Sequence, residues 1–415
     1  HFGSRAIRRA SEGEAAERSR AYPLRQLRLL SRLVMASRLH PQLVGQHLLK
    51  LRPLACVGRA AKLQSCVAAR HVHFAAVRQE AAALEVLRLG ALGMRHLSSE
   101  SVGSKAVVGV LGLGKIGGAM ARNWLAAGLE VAAYDADPSA VRRLGADGAR
   151  EAASAADLVQ NSEIVVSVLP NDQVLSSVML GDGGALKHFR PEQVHVSCST
   201  VGPVTARELA KAHEAANAGV YVGAPVFARP DGMARREAYI PVSGPSVAVE
   251  KCLPLLQKTA FADGVKVFGE DPGAANVVKL CGNFLIAASI ESMAESLALA
   301  EKEGVDREEV MRFLNTSIFD CLIYRGYGHR VAARDHEPYP DAHFALELGL
   351  KDVSLVSETA ARAGCPMPVC SVLKDRFLSA KSKGWEKLDW SAIGMRVSQD
   401  AGTDVTSDLN RLGQK

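Results

Sequence analysis

Aromatic residues make up only 5% of this 415-residue chain, and its eight cysteines include no CxxC pair. So few scattered thiols exclude a disulfide-stapled scaffold and a CxxC metal or redox motif; they read as reduced core thiols, although Cys365 and Cys370 are near enough in sequence to pair. No uninterrupted apolar run reaches the ~18 residues of a membrane-spanning helix. The nearest stretch, residues 283–300, carries Glu291 and Glu295. Aspartate is missing before Asp135. Residues 1–104 hold 17 Lys and Arg against 6 Asp and Glu, a net of +11, while the rest hold 33 against 38, a net of −5. The overall +6 is therefore a property of the leader, and the body lacks the clustered positive charge that nucleic acid requires. A hydrophobic share of 48% with 36 Gly and 17 Pro excludes collagen-like or wholly disordered chains and suffices for two or three domain cores.

The acid-poor leader repeats Arg against Leu at near-helical spacing between residues 24 and 39 and ends in Arg95-His96-Leu97-Ser98-Ser99. This composition predicts an organellar transit segment over 1–104, mitochondrial in the first instance and plastid as the alternative. Residue 1 is His, and Met35 and Met94 are both candidate initiators. Residues 1–34, or the leader as a whole, could then be an artefact of gene modelling, and the protein cytoplasmic. A basic arm for an acidic partner is the other reading.

From residue 105 to about 270, short β-branched runs alternate with helical periods. Strands are predicted at 107–111, 131–134, 164–169, 194–197, 220–226 and 239–242, and helices at 115–127, 173–180, 203–218 and 246–260, with a further helix starting at Pro138 behind an Asp137 N-cap. This alternation predicts a doubly wound, mostly parallel α/β sheet of Rossmann type. Behind it, residues 271–397 read as all-helical, with helices at 274–303, 307–315, 346–363 and 367–383. Residues 398–415 turn polar and read as a flexible tail.

Three constellations carry chemistry. The first is Gly112-Leu113-Gly114-Lys115-Ile116-Gly117, between a predicted strand and a predicted helix, with Asp135 ending the next strand. In this context the first glycine makes the turn, the second admits a pyrophosphate and the third lets helix pack on sheet. The free N–H groups of the helix would face the phosphates. A carboxylate at Asp135 would accept bonds from ribose hydroxyls and repel a 2′-phosphate, which favours NAD over NADP. The second is Asn276, Lys279 and Asn283, three and four residues apart on one face of an apolar helix. Burial would lower the lysine pKa towards the range useful for proton transfer, and the amides would orient a hydroxyl or carbonyl; a surface Lys beside structural Asn residues fits the spacing equally well. The third, Leu350-Lys351-Asp352-Val353-Ser354-Leu355, reads by itself as an ordinary solvated charge pair on a helix.

Taken in order, GLGKIGGAMARNWLAAG, Ser199-Thr200, GAANVVKLCGN and LKDVSL resemble the β-hydroxyacid dehydrogenase family over residues 105–395. That family includes 3-hydroxyisobutyrate dehydrogenase and is related to 6-phosphogluconate dehydrogenase. The resemblance implies a nucleotide-binding domain, a long interdomain helix and a helical domain that packs on another subunit, giving a dimer or tetramer. It implies that Lys279 is the acid/base and that Asn283 helps to place the substrate. Leu169, Pro170, Thr200 and Lys351 match positions that touch the nicotinamide nucleotide, and Ser199 a substrate-side position. It further implies a small substrate, a carboxylate, and NAD or NADP as cofactor.

The family's substrate loop usually reads Asp-Ala-Pro-Val-Ser-Gly-Gly. Here it is Gly223-Ala224-Pro225-Val226-Phe227-Ala228-Arg229-Pro230. The small residues that receive a substrate carboxylate are thus replaced by a ring and a guanidinium. Arg229 could grip the carboxylate itself, or point to solvent, or pair with Asp231 in a turn set by Pro230. Phe227 would narrow the pocket. The leading expectation is an NAD-dependent dehydrogenase of a small β-hydroxyacid; a reductase of a semialdehyde or imine and a non-catalytic nucleotide-binding scaffold are the alternatives.

Overall fold

The computed structural model describes residues 107–338 and 342–414. The predicted transit segment and its processing site lie outside the described residues. Six parallel strands form one sheet: β1 (Val107–Leu111), β2 (Glu130–Tyr134), β3 (Arg150–Glu151), β4 (Ile164–Ser167), β5 (Val194–Ser197) and β6 (Val220–Gly223), in the order β3-β2-β1-β4-β5-β6. The central strands β4 and β5 are buried along their whole length, which is why they read as unbroken apolar runs rather than as alternating ones. The strand order reverses between β1 and β4, and the crevice at their C-terminal ends is where such sheets receive ligands.

The flanking helices are α1 (Lys115–Ala126), α2 (Pro138–Ala146), α3 (Ala155–Gln160), α4 (Asp172–Leu180) and α5 (Pro203–Ala215). Asp137 caps α2 by accepting from Ser139 N at 2.9 Å, with Pro138 at its first position. After β6 come the one-turn α6 (Pro230–Ala234), β7 (Ala238–Val242), α7 (Ser246–Gln257) and β8 (Ala260–Val267). The helix predicted to reach residue 260 stops short, because Ala260 already opens β8, the parallel partner of β7.

The rest is helical: α8 (Ala274–Lys302), α9 (Arg307–Asn315), α10 (Leu322–Ala333), α11 (Leu346–Ala363), α12 (Pro368–Lys381), α13 (Ile393–Asp400) and α14 (Thr406–Arg411). At 29 residues α8 is roughly 44 Å long. By length and composition alone it could cross a bilayer. In the fold its polar residues Asn276, Lys279, Asn283 and Glu291 are buried against protein, and Leu280, Ala287, Ile290, Ala294 and Leu297 form the spine of the helical core.

Three sequence expectations need correction. Residues 398–414, read as part of a flexible tail, are not loose: Val405, Leu409 and Leu412 are buried in the helical core, and Arg334 ties Asp408 to Glu301. Their polar neighbours hid that short apolar spacing. Helix α10 was missed because Gly326 and Gly328 depress its helix propensity. Both glycines leave room for side chains, since a Cβ at 328 would lie 2.8 Å from Met311 Sδ and one at 326 would lie 3.0 Å from Arg229 Nη1. Nor are the thiols all core residues. Cys198, Cys252 and Cys370 are buried, Cys281, Cys321 and Cys365 are exposed, and all six are free.

Candidate active site

At the end of β1 the three glycines do three different jobs. Gly112 has φ +96°, and a Cβ there would lie 2.4 Å from Val168 O. A Cβ on Gly117 would lie 2.0 Å from Gly112 O, so only hydrogen lets α1 pack against the turn. Gly114 has no heavy atom within 4 Å of its Cβ position, which leaves open space for a ligand's approach. No side chain caps α1, so its leading N–H groups are free for phosphate. Leu113 N donates to Asp135 Oδ2 at 2.6 Å and Asp137 N donates to Oδ1 at 2.8 Å, pinning the carboxylate of β2 to the glycine turn. Ile116 packs on the sheet core, while Lys115 is exposed and donates to Ala342 O at 3.3 Å across the crevice. These features fit a dinucleotide.

Leu169 and Pro170 follow β4, and Ser199 and Thr200 follow β5, so all four stand at the C-terminal edge of the parallel sheet. The Ser199 hydroxyl is engaged with backbone: it accepts from Leu169 N at 2.8 Å and donates to Ser167 O at 3.4 Å. Lys351 reaches from α11 to donate to Thr200 O at 2.6 Å. The two lysines, 115 and 351, therefore bridge the halves from opposite sides.

On α8, Asn276, Lys279 and Asn283 are all buried, which removes the surface-lysine alternative. Asn276 Nδ2 donates to Val201 O at 3.2 Å, and its buried Oδ1 has no partner. Asn283 Nδ2 donates to Asp352 Oδ2 at 2.5 Å, and Lys351 Nζ lies 3.0 Å from the other oxygen. Asp352 is wholly buried, so the pair that reads as a solvated face in the sequence is an internal one. Burial pulls the Lys279 pKa down to about 8; the Asp352 carboxylate opposes the fall and Lys351 adds to it.

Phe227 and Arg229 come from the segment between β6 and α6. Lys279 Nζ sits 4.1 Å from the centre of the Phe227 ring. Arg229 is about two-thirds buried, and its one ionic contact among the described residues is Asp231 at 3.6 Å. The guanidinium is neither released to solvent nor closed into a tight pair; it leans on Gly326 of α10. Near it, His343 Nδ1 is buried with no partner, and burial together with Arg330 holds the imidazole below its usual pKa. Asp352 and His343 escaped the sequence reading. Asp352 stood inside a motif already singled out, whereas nothing in the sequence marked His343.

Residues 107–270 match the family model of the NAD binding domain of 6-phosphogluconate dehydrogenase. Residues 273–396 match that of the NAD-binding of NADP-dependent 3-hydroxyisobutyrate dehydrogenase. An uncharacterized oxidoreductase of Bacillus subtilis is 32% identical over 286 residues, 69% of this chain and 98% of the relative. The NAD-dependent L-serine dehydrogenase of Pseudomonas aeruginosa is 32% identical over 295 residues, 69% of this chain and 96% of the relative. The chain belongs to the β-hydroxyacid dehydrogenase family. This β-hydroxyacid dehydrogenase also superposes on the crystal structure of 3-hydroxyisobutyrate dehydrogenase from Salmonella typhimurium with a TM-score of 0.63, at 28% identity over 70% of this chain and 99% of that one. It is an NAD(P)-dependent oxidoreductase.

Proposed function

We propose that this dehydrogenase interconverts a small β-hydroxyacid and its carbonyl form, with Lys279 as the acid/base. The observation that carries this is a buried lysine with a pKa near 8, flanked by Asn276 and Asn283 on its helix face and set over the Phe227 ring. At that pKa both protonation states are accessible near neutral pH, as a group that must take and return a proton requires. In oxidation, neutral Lys279 takes the hydroxyl proton; in reduction, the ammonium gives it to the forming alkoxide. The nicotinamide, when bound, accepts or supplies the hydride. Asn283 orients the reacting oxygen while Asp352 holds its amide in place. The substrate carboxylate goes to Arg229, whose donors are otherwise almost unused, with His343 on the same side. Asp135 favours NAD over NADP by repelling a 2′-phosphate.

Absorbance of NADH formed from a panel of β-hydroxyacids and matched uncharged alcohols tests the reading. Lys279→Ala should lower turnover with the best acid by at least ~100-fold and leave nucleotide binding intact. A variant that keeps most of its turnover would remove Lys279 from the mechanism.

Two further proposals accompany this reading. Residues 1–104 would direct the protein to mitochondria, supported by their Arg-rich, Asp-free composition; a leader–fluorescent protein fusion that stays in the cytosol overturns this. The protein would act as a homo-oligomer, supported by Leu285, Leu299, Phe313, Ile318 and Leu322 standing exposed on the helical half; a monomeric mass in solution overturns it.

A further inference from the structure

Phe227 stands where the family has a small hydroxyl residue, and three features define its place. Its backbone is clamped to β7, with N donating to Tyr239 O at 2.8 Å and O accepting from Tyr239 N at 3.0 Å, so the direction of its side chain is set. The Cε1–Cζ edge of its ring lies against Gly282, in the middle of α8, where a Cβ would be 2.4 Å from those two ring carbons. Glycine inside a helix costs about 1 kcal/mol relative to alanine, and at this position packing of the ring accounts for it. The ring face also meets the lysine head group, whose Nζ makes no ion pair or hydrogen bond among the described residues.

We propose that Phe227, seated on Gly282, is a positioning residue for Lys279: its π face holds the ammonium in the cleft and favours the protonated lysine until substrate arrives. A cation over an aromatic face is attracted by the ring quadrupole, and more strongly once water is excluded. The charged groups acting on Lys279 are Asp352, which also favours the protonated form, and Lys351, which opposes it, both on α11. The ring thus adds to Asp352 in resisting the fall that burial imposes. A hydroxyl residue at 227 would supply no such face. The functional consequence rests on Lys279 as acid/base; the ring–lysine contact does not.

The decisive measurement is the titration of Lys279 itself, followed by NMR of lysine labelled at Cε in the folded protein without substrate. Phe227→Leu keeps the volume and removes the π face, so the midpoint should fall by about half to one pH unit. Phe227→Tyr should hold the wild-type midpoint. Gly282→Ala should displace the ring and reproduce the fall, yet add nothing further in the Phe227→Leu background. An unchanged midpoint in Phe227→Leu, or equal effects of Gly282→Ala in both backgrounds, overturns the proposal. The pH profile of kcat/KM separates the two readings. If its limb follows the NMR midpoint, both stand; if the midpoint moves and the limb does not, the ring acts on a lysine that is not the acid/base.

Discussion

The glycine turn draws Gly112, Leu113, Gly114 and Gly117 from one short stretch and works through backbone, with the Asp135 carboxylate as the one side chain that holds it. The lysine cleft gathers Phe227, Arg229, Asn276, Lys279, Asn283, His343 and Asp352 from segments spread over residues 227–352, and works through side chains. In the first region the glycines matter because of what they lack, a Cβ. In the second a residue matters because of a charge, an amide or a ring brought into contact from elsewhere. The two regions should therefore fail differently when altered.

The largest effect should come from Gly117→Val. With 2.0 Å between the Cβ position and Gly112 O, the turn must open and α1 must lift from the sheet. Nucleotide binding should be lost by calorimetric titration, and the thermal midpoint should drop with at least ~2 kcal/mol of stability. Retained nucleotide affinity would break the contrast, since the turn would then tolerate what its geometry forbids.

Acid should find the buried histidines in both halves. In the nucleotide half, His213 Nδ1 can only donate to Ala218 O, at 2.5 Å; its Nε2 then accepts from His195 Nδ1 at 3.0 Å, and His195 Nε2 accepts from Ser167 Oγ at 2.9 Å. With both rings neutral, that arrangement satisfies all four ring nitrogens, and burial favours the neutral forms. Burial lowers the His213 pKa to about 4 and that of His195 well below its usual value. In the helical half, burial first and Arg330 next take His336 to about 3. All three fall from the ordinary 6.5, so the unfolded chain binds more protons below that pH. Their contribution is fully present above pH 6.5 and is lost as pH falls towards the folded values, at up to ~1.4 kcal/mol per pH unit for each ring. Urea midpoints from pH 7 to 4.5 should decline accordingly, and His213→Gln should flatten the decline; a flat wild-type profile would contradict the neutral chain.

In the cleft, Arg229→Ala should raise KM for an acid substrate by about ten-fold, from loss of a hydrogen bond to a charged group. Affinity for nucleotide should be unchanged, and an uncharged analogue should be affected little. Equal effects on acid and neutral substrates would mean that the loop had shifted as a whole. Asp135→Ala should give the smallest change, a several-fold loss of preference for NAD over NADP in kcat/KM. Because this carboxylate also holds Leu113 N, some loss of affinity for both nucleotides should accompany it.

Sequence alone determined the parallel sheet, the glycine turn with Asp135 and the polar face of α8, because each depends on spacing within a continuous stretch. Turn geometry and helical periodicity are local properties, so the distances along the chain already encode them. Tertiary structure decided that the Lys351-Asp352 pair is internal, that residues 398–414 pack rather than fray, and that α10 forms despite two glycines. It also decided that Phe227 rests on Gly282 beneath Lys279 and that Arg229 meets α10 beside His343. Those outcomes turn on burial and on vacancies that a distant side chain fills, and neither is a function of local spacing.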